Sequence, residues 1–153
     1  LVIGASSLFA RDMVTLDDSF TIRTDQLRLD IDIDGAELEV NKGDSRRDVH
    51  VYMRYNARDT EGNIRFNEQR GTMDVTVDTD VWDMDNDGEG NNAPKVVIEL
   101  PERPEIEIEA RIKAGEITFE LGGLNIADFI LKPINRRVIL ERVKKVIDKL
   151  KLT

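Results

Sequence analysis

The stretch LRLDIDIDGAELEV, residues 27–40, decides the fold class. Apolar and charged residues alternate strictly on both sides of Gly35. An extended chain sends successive side chains to opposite faces, so a period of two predicts β-strands with one apolar and one charged face. Gly35 predicts the turn between two such strands. Each apolar face then needs a second layer to cover it.

The same alternation runs from Phe20 to Leu121, which predicts a mainly β chain. The polar stretch 56–70 interrupts it, and its turn formers predict a loop. Residues 106–121, IEIEARIKAGEITFEL, resemble residues 27–40 and suggest an internal repeat. Two architectures satisfy these strands: a β-sandwich, or a β-solenoid-like stack of short coils.

The character of the chain changes after Gly123. Apolar residues then recur at helical spacing, which predicts a basic amphipathic helix over residues 135–151. Between Lys132 and Thr153 there are eight basic residues and two acidic ones. We therefore divide the chain into residues 1–10, a β domain over 11–123, and a strand plus helix over 124–153.

Composition and charge narrow the function classes. The chain has 153 residues and a net charge of −9, and such an acidic protein repels the phosphates of nucleic acid. It has no cysteine and one histidine, which excludes disulfides and multi-histidine metal sites. Residues 1–10, LVIGASSLFA, are typical of the remnant of an export signal, so we expect an exported or cell-envelope protein. No stretch is long and apolar enough for a membrane span.

The strand region resembles the bacterial putative-adhesin family, a repetitive β-strand domain of unknown function. Residues 27–40 and 96–121 carry the resemblance, with Ala114-Gly115-Glu116-Ile117 at the corner between two strands. The resemblance implies a β-solenoid-like fold at the cell envelope without enzyme activity. Members continue through further coils, so this chain is expected to leave a sheet edge uncapped, through which it could self-associate.

The segment Ala127–Ile134, ADFILKPI, resembles the last strand of a response-regulator receiver domain, and the basic segment after it resembles the last helix. In that family the lysine of the Lys-Pro pair, here Lys132, contacts a phosphorylated aspartate. The acidic pair and phosphoacceptor strand that a receiver needs are missing upstream. This resemblance supplies an alternative function: a cytoplasmic, signalling-derived fragment whose tail mediates protein–protein contact.

The segment DMDNDG, residues 83–88, reproduces the opening of a calcium loop. Asp83, Asp85 and Asp87 are spaced so that alternate carboxylates can converge on one hard cation. The twelfth position carries Pro94 instead of a bidentate glutamate, which favours a solvated acidic loop. Both interpretations stay open, and calcium is the one candidate cofactor.

The sequence offers no catalytic apparatus. His50 falls on the polar face of its strand and is predicted to be a surface residue. Trp82, beside the acidic loop, is either an exposed binding anchor or a cover over the edge of the core. We therefore predict a non-enzymatic envelope or surface domain, adhesin-like, that binds a protein or a glycan.

Overall fold

A computed structural model describes residues 12–79, 93–133 and 150–152. These residues form β-strands joined by turns, and no helix occurs among them. The strands are β1 (Met13–Thr21), β2 (Gln26–Ile33), β3 (Ala36–Lys42), β4 (Asp48–Asn56), β5 (Thr60–Asn67), β6 (Thr72–Thr79), β7 (Lys95–Leu100), β8 (Glu105–Ile112), β9 (Gly115–Glu120), β10 (Ile126–Pro133) and β11 (Leu150–Leu152). The prediction of a mainly β chain is confirmed.

The strands form two mixed sheets. The five-stranded sheet has the order β1-β4-β7-β3-β9, and the six-stranded sheet has the order β11-β10-β8-β2-β6-β5. Parallel pairs run from the centre of each sheet to one edge, β9 or β11, whereas β1, β4 and β5 add antiparallel pairs on the other side. The edges of the described sheets are therefore β1 and β9 in one, and β5 and β11 in the other.

The two similar sequence segments lie one on the other in register. Leu27 of β2 pairs with Ile106 of β8, and Val40 of β3 pairs with Phe119 of β9. The offset is 79 residues in both sheets, so the register does not slip at the turn between them. A slip of one residue would move every apolar side chain to the solvent face, so the shared alternation fixes this register.

The inward residues of both sheets form one apolar core. Most are Val, Ile and Leu at every second position of a strand, and nearly all are fully buried. A tilted ring pair, Phe119 with Phe129 at 4.7 Å between centroids, joins β9 of one sheet to β10 of the other. On the opposite side Phe20 and Phe66, at 5.4 Å, join the edge strands β1 and β5. One aromatic pair thus links the two sheets toward each of their lateral edges.

Two strands depart from the sequence interpretation. The loop predicted for residues 56–70 contains the edge strand β5, and β1 begins at Met13, ahead of the predicted start at Phe20. In β1 the alternation is broken by Asp18, which stands opposite the buried Val51 yet remains exposed. A charge at such a position on an edge strand discourages pairing with another chain, and it also hides the strand from a pattern search.

The predicted C-terminal helix needs a correction at its end. Residues 134–149, which carry most of it, lie outside the described residues. Leu150–Leu152 forms a short strand parallel to β10, so the helix does not extend through Leu150 as predicted. Pairing with β10 offers these residues backbone hydrogen bonds that compete with the last helical turn.

Candidate functional site

The inner faces of the two sheets form the buried core, so the candidate binding residues are sought on the outer faces. Each outer face has a shallow groove. The groove on the six-stranded sheet has a volume of about 530 Å³, and the one on the five-stranded sheet about 640 Å³. Both are open to solvent and lined mainly by polar side chains, which suits binding of a polar ligand.

The groove on the six-stranded sheet holds a row of acidic residues. Asp74 of β6, Asp30 of β2 and Glu109 of β8 occupy the same register position on three adjacent strands. Like charges directly opposite each other on neighbouring strands repel. Burial raises the pKa of Asp30 most, and the neighbouring carboxylates Asp74 and Glu109 raise it further, against the lowering effect of Arg28.

Basic side chains neutralise the centre of this row. Arg28 lies 3.6 Å from a carboxylate oxygen of Asp30 and 3.8 Å from one of Glu109. Lys132 donates to Glu109 at 3.1 Å, and Arg111 lies 3.6 Å from the same carboxylate. The hydrogen bond from Lys132 is the main reason that the pKa of Glu109 is lowered. The middle of this groove is therefore occupied with its own ion pairs.

The groove on the five-stranded sheet has a different composition. Tyr52 of β4 and Val97 of β7 stand opposite each other at its centre, both partly exposed. They form a small apolar floor between charged side chains. The lining residues are Met13, Glu37, His50, Tyr52, Arg54, Ala93, Lys95, Val97 and Glu99.

Two cations lie side by side in this groove. Arg54 and Lys95 are directly opposite each other on the antiparallel pair β4–β7, and both are exposed. No acidic side chain of the described residues lies within ion-pair distance of either. A like-charge pair facing across two strands is destabilising, so an anion placed between the two cations would relieve their repulsion.

His50 lies on the outer face of β4, where the alternation of its strand predicts it. Its Nε2 is 2.5 Å from Oδ1 of Asp17 on β1, and its Nδ1 is 3.5 Å from Oε1 of Glu99 on β7. Both contacts of the imidazole are carboxylates from neighbouring strands. This arrangement orients the ring beside the groove, but it does not pair the histidine with a nucleophile.

Asp83, Asp85 and Asp87, together with Trp82, fall outside the described residues, so the calcium loop stays a prediction. Within residues 12–79 and 93–133 no group of three acidic or histidine side chains is placed to hold a metal ion. Lys132, which the receiver resemblance would place on a phosphate, contacts Glu109 of the same sheet.

The sequence analysis did not identify Tyr52, Arg54 or Lys95 as candidate site residues. Their outward positions on β4 and β7 follow from the alternation. Their proximity does not, because β4 and β7 are separated in the chain by two strands of the other sheet. The sequence nevertheless contains a local pattern. Arg54 lies two residues after Tyr52, and Lys95 lies two residues before Val97, so each basic residue shares the outer face of its strand with a Tyr or Val.

Fold and grooves together define a two-sheet β domain whose outer faces are open for binding. Residues 9–132 match the family described as the N-terminal domain of toast_rack, DUF2154, and the chain belongs to this family. No curated protein matches the sequence. In the part of the chain that the structure describes, no helix is long and apolar enough to cross a membrane.

A solved structure described as a "putative cell adhesion protein" from Clostridium sporogenes shares the fold. It aligns with a TM-score of 0.55 at 12% identity, covering 78% of this chain and 58% of that one. Another, a "putative adhesin" from Parabacteroides merdae, has a TM-score of 0.30 and 15% identity over 78% of this chain and 57% of that one. The chain thus spans less than two thirds of the structures it matches.

Proposed function

We propose that this chain is a non-enzymatic binding module of the bacterial cell envelope or surface, adhesin-like in role, whose ligand is a protein or a glycan. The observation that carries the proposal is the pair of open, polar grooves on regular strands. The strands fix the backbone positions of these side chains, so binding a ligand orders side-chain rotamers but no loop. The Clostridium sporogenes structure with the same fold, described as a "putative cell adhesion protein", supports the same role.

The grooves also suit binding better than catalysis. The cationic pair Arg54–Lys95 contacts no described nucleophile, and His50 is held between two carboxylates. Nucleophilic catalysis would need a hydroxyl, thiol or amine within hydrogen-bond reach of a base. An exported location, with the export remnant predicted at residues 1–10, belongs to the same proposal.

Retention of the purified full chain on envelope material tests this function. We expect it to bind isolated bacterial envelopes, in a saturable way, and to turn over no hydrolase or transferase substrate. Absence of any retention on wall, membrane or surface-protein fractions would contradict the binding role. Robust turnover that disappears in His50→Ala would contradict the non-enzymatic role.

A further inference from the structure

We propose that the groove on the five-stranded sheet is a binding site for an acidic polysaccharide, with the carboxylate of a uronic acid sugar held by Arg54 and Lys95. This rests on the proposed binding function and names the ligand class. Its starting point is the cation pair, for which the described residues supply no ion-pair partner. The charged row around Glu109 on the other sheet is, by contrast, occupied with ion pairs.

The cations provide the recognition of charge. Arg54 presents a planar guanidinium that can donate two parallel hydrogen bonds to one carboxylate, and Lys95 adds a compact charge beside it. Their Cβ atoms face the same side of the sheet on directly opposed strand positions. One carboxylate above the pair therefore reaches both cations and relieves their mutual repulsion.

The floor of the groove favours a sugar ring. Tyr52 and Val97 lie two residues along their strands from Arg54 and Lys95, on the same face. Two residues along a strand span about 6.6–6.8 Å, close to the width of a pyranose ring with its carboxylate. The electron-rich face of Tyr52 suits the weakly positive C–H groups of a sugar ring.

The rim supplies acceptors for hydroxyl groups. Glu37 stands beside Lys95 on β3, and Glu99 lies two residues beyond Val97 on β7. Their carboxylates can accept hydrogen bonds from sugar hydroxyls. A neutral apolar ligand has no donors for these acceptors. Cation pair, ring floor and acceptor rim together match a uronic acid polymer. A polymer of glycerol phosphate has the charge but no ring for Tyr52.

The charge of the whole chain makes the site testable. With a net charge of −9 the protein repels polyanions at long range. Binding of an acidic polysaccharide therefore cannot be attributed to non-specific electrostatic attraction. Binding would come from contacts at Arg54, Lys95 and Tyr52, within a distance that salt screens only in part.

The experiment is calorimetric titration of the full chain with polygalacturonate, dextran and poly(glycerol phosphate). We expect binding to polygalacturonate alone. Arg54→Gln should weaken it about tenfold, as expected for loss of one charge-assisted hydrogen bond. Tyr52→Ala should weaken it comparably, because it removes the floor on which the sugar ring lies.

Arg65→Gln is the matched control. Arg65 is an exposed outward arginine on a strand of the other sheet, facing Asp74. Unchanged affinity in this variant supports the assignment, whereas loss there with Arg54→Gln unaffected would overturn it. Equal binding to poly(glycerol phosphate) or to an acidic peptide would overturn the uronate assignment. Envelope retention that survives in Arg54→Gln would overturn the site but leave the binding function standing, whereas no envelope retention at all would overturn both.

Discussion

Glu109 and Asp30 are neighbours on β8 and β2, yet their surroundings shift their pKa values in opposite directions. Lys132, Arg111 and Arg28 surround Glu109 and lower its pKa. Burial and two adjacent carboxylates raise the pKa of Asp30. A lowered carboxyl pKa contributes stability above the ordinary value of the group, and a raised one opposes folding once the group ionises. The two residues should therefore respond oppositely to removal of their charge.

Glu109→Gln should destabilise the chain at pH 7 by about 1 kcal/mol, since it removes the negative charge that faces three basic side chains near the surface. Native Glu109 contributes above its ordinary pKa of 4.5, and this contribution is lost as pH falls through its lowered folded pKa. The difference between variant and parent, measured by urea unfolding, should therefore shrink toward pH 3.

Asp30→Asn is the counterpart. Ionised Asp30 costs free energy above its raised folded pKa, so the variant should be at least as stable as the parent at pH 7. That advantage should fade as pH falls toward the ordinary value of 3.8, where the parent is protonated too. A clear loss of stability at pH 7 would show that the contact of Asp30 with Arg28 outweighs burial and like-charge repulsion.

Gly115 is the residue at which the stacked turns come closest. Its φ is 126°, and a Cβ there would collide with the carbonyl oxygen of Ala36 on the adjacent turn. Gly115→Ala should cost about 2–3 kcal/mol or more, from backbone strain and from parting β3 and β9. Gly122→Ala is the control, because nothing lies within 4 Å of its Cβ position. Equal thermal stability of the two variants would contradict a close turn contact.

At the scale of elements, β9 and β10 depend on each other through Phe119 and Phe129. Both rings are buried, and they belong to different sheets. Either residue changed to Ala should cost about 3–5 kcal/mol, because burial is lost and a cavity remains. A double-mutant cycle should show a coupling of about 0.5–1.5 kcal/mol. Additive losses would mean that the two rings stabilise their sheets independently.

The predictability of each element follows from its place in its sheet. Strands whose inner faces are wholly buried, such as β2 and β8, need unbroken alternation, and the sequence displays it. Edge strands β1 and β5 cover the core incompletely, so an inward position can carry Asp18 or Gly62. These residues interrupt the apolar alternation, and the two strands are therefore missed in the sequence. The order of the strands could not be predicted, because β2 lies between β6 and β8 through contacts distant in sequence.

The binding groove illustrates the same limit. That Tyr52 and Arg54 point outward is local information, carried by their strand. That Arg54 faces Lys95 depends on β4 pairing with β7 antiparallel, after the chain has formed two strands, β5 and β6, in the other sheet. Nothing in either strand alone specifies that pairing. Charge arrangements on a sheet face therefore emerge only when the strand order is known.

At the scale of the whole molecule, the sheets continue past the boundary that the sequence places after Gly123. β10 pairs in parallel with β8 and extends the six-stranded sheet. Its side chains Ile126, Phe129 and Leu131 are buried in the shared core. Because β10 contributes to the core, a shortened chain should keep this strand in order to fold.

Truncation after Gly123 should therefore abolish cooperative folding. Burying an apolar side chain contributes about 1.5–3 kcal/mol, so losing the three from β10 removes about 5–9 kcal/mol. Small domains have only about 5–15 kcal/mol in all. The cut also bares Phe119 and leaves β8 as an unpaired edge, which favours aggregation. Calorimetry of this form should show no sharp melting transition.

Truncation after Pro133 is the matched control, because it keeps all of β10 and with it the cover over Phe119. Its loss is limited to residues 134–153, which include the three-residue strand β11. We expect this form to melt cooperatively, since it keeps every core residue that the described part of the chain contains. A cooperative transition at an unchanged temperature in the form ending at Gly123 would contradict the role of β10. It would mean that the two stacked units, joined through Leu27–Ile106 and Val40–Phe119, suffice to close the fold.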